Sequence, residues 1–325
     1  MTREAYGTSH RPTWAVVVPA FNEAARIGDA LASLAAQSEP AEEIVVVDDG
    51  SEDDLEGAVA DDLGMVELVR QPNRGLAAAR NTGTAQVSSD WVLYLDADDH
   101  LDPQALEALR DAAVRDPGLD LLELDALGYD ESTGEVLYRH RERQPFDRED
   151  QRAAIVQRNL LLTGVSVRRE RMNEIGGFDE GMRFCEDYEC WMRLILAGSR
   201  AGSVDGCFLH RRHHGANMSS KRPEMISWRM EVIRRALARD DLDERERRLA
   251  MQSLQRNAHL LHMLQARARI HMWADELQSE LTDRRGTMTL LRQRGPSARQ
   301  RVLLSMGMVS PRLTGRVANR FRVAP

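Results

Sequence analysis

WAVVVPAFNEAARIGDALASLAAQSEPAEEIVVVDDGS, residues 14–51, decides the fold. Its ends, Trp14-Ala-Val-Val-Val18 and Glu43-Ile-Val-Val-Val47, are short apolar runs rich in β-branched residues. They lack polar alternation, which is the pattern of strands covered on both faces. Between them Ile27, Leu31 and Leu34 recur at helical spacing, and Asn22 stands where a side chain can cap the first turn. The alternation continues outward. Val66–Val69 reads as a third strand, Arg74–Gln86 as a helix despite Gly75 and Gly83, and Trp91–Leu95 as a fourth strand. Pro103 opens the next helix at its tolerated first position. Strands alternating with helices predict an α/β fold, a mostly parallel sheet flanked by helices on both faces.

From about Leu119 the pattern turns to short strands, loops and one well-marked helix, Asp187–Ala197. Residues 221–283 are rich in Arg, Glu, Leu and Met and read as helices, while Pro296 and Pro311 break the final segment. The expected organisation is a body over residues 1–220 and a helical, Arg-rich C-terminal region over 221–325.

Composition narrows the function classes. With 325 residues, 42% hydrophobic and 30% charged, the chain has an ordinary globular make-up. No apolar run approaches the roughly 20 residues of a membrane helix, and the polar start Met1–Thr13 leads us to expect no signal peptide and a cytoplasmic protein. Cys185, Cys190 and Cys207 are an odd number without CxxC spacing, so neither a disulfide framework nor a zinc site is expected. Cys185 and Cys190 read as buried thiols. The net charge of −8 conceals a division: residues 221–325 hold 22 Lys and Arg against 11 Asp and Glu, and residues 1–220 hold 22 against 41. A body at −19 is a poor partner for nucleic acid.

In open α/β sheets ligands bind beyond the carboxyl ends of the strands. Three strands deliver polar or acidic residues there: Pro19-Ala-Phe-Asn-Glu23, Asp48-Asp49-Gly50-Ser51 and Asp96-Ala97-Asp98-Asp99. Like charges along one edge repel unless a cation sits between them. Asp96 and Asp98, two apart in extended chain, face the same side. Such hard oxygen ligands suit Mg²⁺ or Mn²⁺, which completes its shell with substrate phosphate and water.

The chain resembles the family 2 glycosyltransferases, inverting nucleotide-sugar enzymes with the GT-A fold. The resemblance covers roughly residues 12–220. It is carried by VVVPAFNEAARIGDALASL (16–34), EEIVVVDDGSEDD (42–54), RQPNRGLAAARNTG (70–83), WVLYLDADDHLDP (91–103), GGFDEGMRFCEDYECWMRL (176–194) and RRHHGANMSS (211–220). The resemblance implies that Pro19, Ala20, Phe21, Glu23 and Asp48 hold the nucleoside, and that Asn73 and Arg80 approach the base, ribose or phosphates. It implies a divalent cation, Mn²⁺ or Mg²⁺, on Asp96 and Asp98, with Asp98 the direct ligand. Glu186 and Asp187 fall on the family's acidic pair, Asp187 as general base. Arg212, His214, Asn217 and Ser219 fall near the diphosphate and metal, His214 as a further metal ligand. Where the family has an aromatic residue before this last motif, the chain has Leu209-His210-Arg211, a change expected to alter how that loop closes. Thr163, Gly164 and Arg168 lie where the family often contacts the acceptor. Trp91 and Tyr94, by alternation along their strand, read as core.

The expected function is metal-dependent, inverting transfer of a hexosyl or N-acetylhexosaminyl group from a nucleotide diphosphate donor, UDP first, to a hydroxyl of a glycan or lipid-linked acceptor in polysaccharide assembly. Such transfer needs a carboxylate to take the acceptor's proton, and Asp187 at a helix start is also favoured by the helix dipole. A sugar nucleotidyltransferase would want a Gly-rich, Lys- or Arg-bearing loop after the first strand, which PAFNEAARIG is not. A catalytically degenerate scaffold is the other rival, and intact Asp48, Asp96, Asp98 and Asp187 weigh against it. In the tail, Leu313, Val317 and Phe321 run beside Arg312, Arg316 and Arg320. Such stripes suit peripheral contact through residues 299–325 with the inner face of the plasma membrane, or docking on the body or on a second copy in a homo-oligomer.

Overall fold

A computed structural model describes residues 11–60, 64–161, 164–215 and 222–282. The first half runs β1 (Trp14–Ala20), α1 (Ile27–Ala35), β2 (Glu43–Asp48), α2 (Leu55–Val59), β3 (Glu67–Arg70), α3 (Leu76–Gln86), β4 (Trp91–Tyr94), β5 (His100–Leu101) and α4 (Ala105–Arg115). The second runs β6 (Leu121–Asp130), β7 (Val136–Arg139), α5 (His140–Arg143), α6 (Gln151–Ile155), β8 (Val165–Arg168), α7 (Arg169–Ile175), α8 (Glu186–Leu196), β9 (Ala201–His213), α9 (Arg222–Leu237) and α10 (Glu244–Thr282).

One sheet has the order β3-β2-β1-β4-β8-β6-β9-β5, with β7 on the outer part of β6. The first four neighbours are parallel, as the βα alternation requires. Beyond β4 the ladder is mixed: β8 is antiparallel to both β4 and β6, and β9 is parallel to β6. The strands expected to be short in this half include β6 of 10 residues and β9 of 13. Glu123 and Asp125 within β6, and the charged C-terminal half of β9, hide them from an apolar-run reading.

The sheet is covered on both faces, and all seven residues of β1 are buried. Ala15 and Val17 face a cluster built with α3, α7, α8 and α9. Trp14, Val16 and Val18 face a second one built with α1, α2 and α4. Trp14 stacks on Trp91 at 5.0 Å, and Tyr94 packs edge-on to Phe178, so both β4 aromatics are core as expected. α3 lies close against the sheet because Gly83 lacks a side chain; a Cβ there would stand 2.3 Å from Val17 Cγ1.

Two local expectations are corrected. Asn22 does not cap α1, which begins at Ile27 with no side-chain cap. It sits in the left-handed region (φ 58°) and its Oδ1 accepts from the Glu52 backbone, tying the β1 loop to the β2 loop. Pro103 precedes α4, whose first residue is Ala105.

Residues Met1–Ala258 form one compact unit and His259–Pro325 a second. Val232, Ile233 and Ala236 of α9 and Ala250 of α10 join the core around α8, so packing continues past the charge boundary at 220. The second unit is described as the remainder of α10. The tail 299–325 lies outside the described residues, and among those residues no helix is long and apolar enough to cross a membrane.

Candidate functional site

β1, β2 and β4 lie side by side and end at one edge, Ala20 opposite Asp48. The buried Asp48 carboxylate accepts from Ser51 N at 2.7 Å and lies 3.3 Å from Arg70 Nε. Gly50 turns the chain at φ 78°, so close to the next loop that a Cβ would meet Asn73 N at 2.7 Å. Asp49, to which the sequence reading gave no role, accepts from the backbones of Arg74 (2.9 Å) and Gly75 (2.8 Å) and from Gln71 Nε2 (2.7 Å). It thereby satisfies donors at the start of α3 and fixes the loop carrying Asn73. Pro19 and Ala20 end β1 in the interior; Phe21 is 45% exposed and Asn73 is exposed. An apolar ring, a buried carboxylate and an exposed amide therefore line the β1–β2 side of the edge.

Arg80 of α3 is buried and joins two elements. Its Nη2 reaches Asp96 Oδ1 at 3.0 Å and its Nη1 reaches Glu186 Oε1 at 2.8 Å, with the Phe178 ring 5.4 Å away. The Asp96 loop after β4 and the acidic start of α8 are so held together by Arg80. Before α8, Cys185 adopts φ 59°. It and Asn22 are the non-glycine residues with left-handed backbone among those described, and such strain concentrates at functional loops. Cys185 and Cys190 are buried free thiols. Asp187 Oδ2 accepts from Asn159 Nδ2 at 3.0 Å and Oδ1 from Tyr188 N at 2.6 Å. Burial and the neighbouring Glu186 charge, opposed by Arg80, push the Asp187 carboxyl up to about 7. That value poises it between acid and base near neutrality. Asn159 carries no motif by which sequence could have found it.

The third part of the edge is acidic. Ligand atoms of Asp96, Asp98 and Asp99 lie within 4.8 Å of one another, and so do those of Glu23, Asp98 and His214. Asp98 belongs to both groups, Asp96 to one and His214 to the other; His214 Nε2 is 2.9 Å from Asp98 Oδ2. Burial and the Asp96 charge raise the Asp98 carboxyl, burial and its two neighbours raise Asp99 strongly, and burial raises Glu23. Carboxylates that suppress one another's ionisation are relieved by a cation, and an oxygen-rich set with one imidazole fits Mg²⁺ or Mn²⁺.

Arg212 supports this loop from behind. Its backbone N donates to Asp99 Oδ1 (2.9 Å), its Nε to the Asp98 carbonyl (2.9 Å) and its Nη2 to Asp29 (2.5 Å). The guanidinium is therefore taken up by protein groups. Arg168 likewise binds the Leu119 carbonyl and covers the Trp91 ring, a packing role. Asn217, Ser219 and Thr163 lie outside the described residues. A cleft of about 300 Å³ lined by Asp130, Glu131, His213 and His214 adjoins the acidic group. A larger groove of about 890 Å³ opens at the opposite ends of β6 and β9, where Arg152 and Arg200 are paired with Glu246 and Asp116; none of the edge carboxylates lines it.

Residues 15–175 match the family described as Glycosyl transferase family 2. The chain is 32% identical over 209 residues to the pre-mycofactocin glycosyltransferase of Mycobacterium tuberculosis, covering 61% of this chain and 42% of that protein. It is 31% identical over 208 residues to the succinoglycan biosynthesis protein ExoU of Rhizobium meliloti, covering 59% of each. It thus spans about half the length of these curated relatives. Among solved structures, S. aureus TarS 1–349 in complex with UDP-GlcNAc superposes with a TM-score of 0.60 at 22% identity, over 74% of this chain and 71% of that one. The mannosyltransferase PcManGT of Pyrobaculum calidifontis, in complex with GDP-Man and Mn²⁺, gives 0.58 at 18%, over 84% and 81%. Residues 15–175 of this chain are thus a glycosyl transferase family 2 domain, and the solved structures share its fold.

Proposed function

We propose that the protein transfers a sugar from a nucleotide diphosphate donor, UDP first, to an acceptor hydroxyl with inversion at the anomeric carbon. One observation carries this reading: Arg80 ties the acidic loop after β4 to a helix start whose Asp187 is poised near pH 7. Phe21, Asp48 and Asn73 supply stacking and hydrogen-bonding surface for a nucleoside. Asp96 and Asp98, with Asp99 on one side and Glu23 and His214 on the other, would hold a divalent cation, which supplies Lewis-acid neutralisation of the leaving diphosphate. Asp187 takes the proton of the acceptor hydroxyl as its oxygen bonds to the anomeric carbon and the bond to the nucleotide breaks. Asn159 and the Tyr188 backbone hold the carboxylate in place for that transfer. Arg212 fixes the metal-motif loop through Asp99 and the Asp98 carbonyl. The UDP-GlcNAc and the GDP-Man with Mn²⁺ in the two solved structures support a nucleotide-sugar donor and an ion, and the named relatives support a glycan-building role.

Thermal-shift titration with UDP and GDP, each with Mn²⁺ and with a chelator, tests the donor site. A ligand of the folded state stabilises it by about 2.7 kcal/mol at a hundredfold excess over Kd. UDP stabilisation that needs the ion in the wild type, and that is lost in Asp98→Ala, is expected. Stabilisation by neither nucleotide would sink the reading.

A further inference from the structure

Alternation along β9 sends its side chains to opposite faces. His210 and Arg212 reach Asp102 (2.7 Å) and Asp29 on one face. Arg211 and His213 take the other, where His213 Nε2 lies 2.8 Å from the Tyr138 hydroxyl. Arg211 stands opposite Gly128 of β6, and the Tyr138 ring fills the space a side chain there would need, 2.4 Å from an added Cβ. Arg143, exposed at the end of α5, lies over the same ring at 4.3 Å. Two guanidinium groups and an imidazole thus surround one tyrosine.

These two arginines differ from their neighbours. Arg26, Arg80, Arg139, Arg141 and Arg212 each pair with a carboxylate. Among the described residues, neither Arg211 nor Arg143 has an ion-pair partner, although Arg211 is partly buried. Withdrawing a guanidinium from water without a partner is costly. What sets this pair apart is that both guanidinium groups meet one tyrosine, Arg211 through a hydrogen bond to its side chain and Arg143 across the face of its ring.

Position identifies which ligand. In the sheet order β4 and β8 separate β1 and β2, where the nucleoside surface lies, from β6 and β9, but the loop after β1 spans that gap, Glu23 sharing a ligand group with His214 and Arg26 pairing with Glu131. On the near side, Gln144 just after α5 donates to the Asn159 carbonyl (2.5 Å), and Asn159 holds Asp187. Arg143 and Tyr138 are thereby tied to the approach to the base, with Arg211 beside them. Burial works to lower the Arg211 pKa, but Tyr138, Asp99 and Asp96 raise it, which keeps it a permanent cation beside the acidic loop.

We infer that Arg211 and Arg143, bracketing Tyr138, bind an oxyanion carried by the acceptor, a phosphate or a carboxylate, and so select a negatively charged acceptor. The inference rests on the donor-site reading above. Arginine's planar fork suits both anions, pairing two oxygens at once.

The test titrates the protein by ligand-observed NMR, with and without saturating UDP and Mn²⁺, using glycerol against glycerol 3-phosphate and glucose against glucuronate. The charged member of at least one pair is expected to bind about tenfold more tightly, in line with a charge-assisted hydrogen-bonded contact. The pair that shows the preference tells phosphate from carboxylate. Arg211→Gln should abolish most of that preference and leave UDP affinity within about twofold; Arg143→Gln, at an exposed site where the hydrogen bond lost is the one to the Leu137 carbonyl, should reduce it too. Equal binding of charged and neutral members, or a preference that survives both substitutions, overturns the inference. So does a loss of UDP affinity in Arg211→Gln as large as the loss of anion affinity, which would put Arg211 on the donor diphosphate. Failure of the wild type to bind UDP counts against the donor reading alone, because the anion titrations without UDP still decide the role of Arg211.

Discussion

At the scale of single residues, Asp187 sets catalysis against stability. Its carboxyl is raised from 3.8 to about 7, so the folded state holds this proton more tightly than the unfolded chain does. Its contribution to stability is therefore full below about pH 4, fades as pH rises through 7 and is flat above. Asp187→Asn should melt higher than wild type at pH 8, by a few degrees, with the gap closing toward pH 4; thermal denaturation at the two pH values measures it. The same change should lower transfer by about 10²–10⁴-fold, and wild-type kcat/KM should fall below pH 7 as the base is protonated. A variant that keeps its activity would show that Asp187 is not the base. Asp48, Asp96, Asp98 and Asp187 were legible in the sequence because each stands at a strand end or helix start. Arg80 was legible as a site residue but not as the clasp between Asp96 and Glu186, since its partners lie 16 and 106 positions away. The register of His213 and His214 was not legible either: strand alternation gives His213 to Tyr138 and His214 to Asp98.

At the scale of elements, β1 to β4 could be read directly because each is an apolar run bounded by polar loops. β6 and β9 could not, since Glu123 and Asp125 are buried in β6 against Arg141 and Arg139. Ion pairs there replace the apolar signal that marks a buried strand. Close packing of α3 on the sheet gives a direct check. Gly83→Ala places a Cβ 2.3 Å from Val17 Cγ1 and should cost about 1–3 kcal/mol. Gly28→Ala in α1 meets nothing within 4 Å and should be neutral or stabilising by a few tenths of a kcal/mol, about what helix propensity gives near a helix end. Urea denaturation of the two variants compares them; equal stabilities would contradict the packing of α3.

At the scale of the molecule, an acidic body is asked to receive an anionic donor. Residues 1–220 carry 22 Lys and Arg against 41 Asp and Glu, and the potential of such a surface repels a nucleotide diphosphate. On the proposed reading the acidic group at Asp98 would turn that repulsion into a site for a cation, with Asp187 as base on a separate element, α8. Leaving-group site and base thus occupy different elements of one edge. That separation is what a single displacement needs, and no second carboxylate on the donor side is required as a nucleophile. The most direct test is the configuration of the sugar released when the nucleotide donor chosen by the titrations is turned over, followed by proton NMR before the anomers equilibrate. The account predicts that an α-linked donor first yields the β-anomer. First appearance of the α-anomer would contradict single displacement with Asp187 as base.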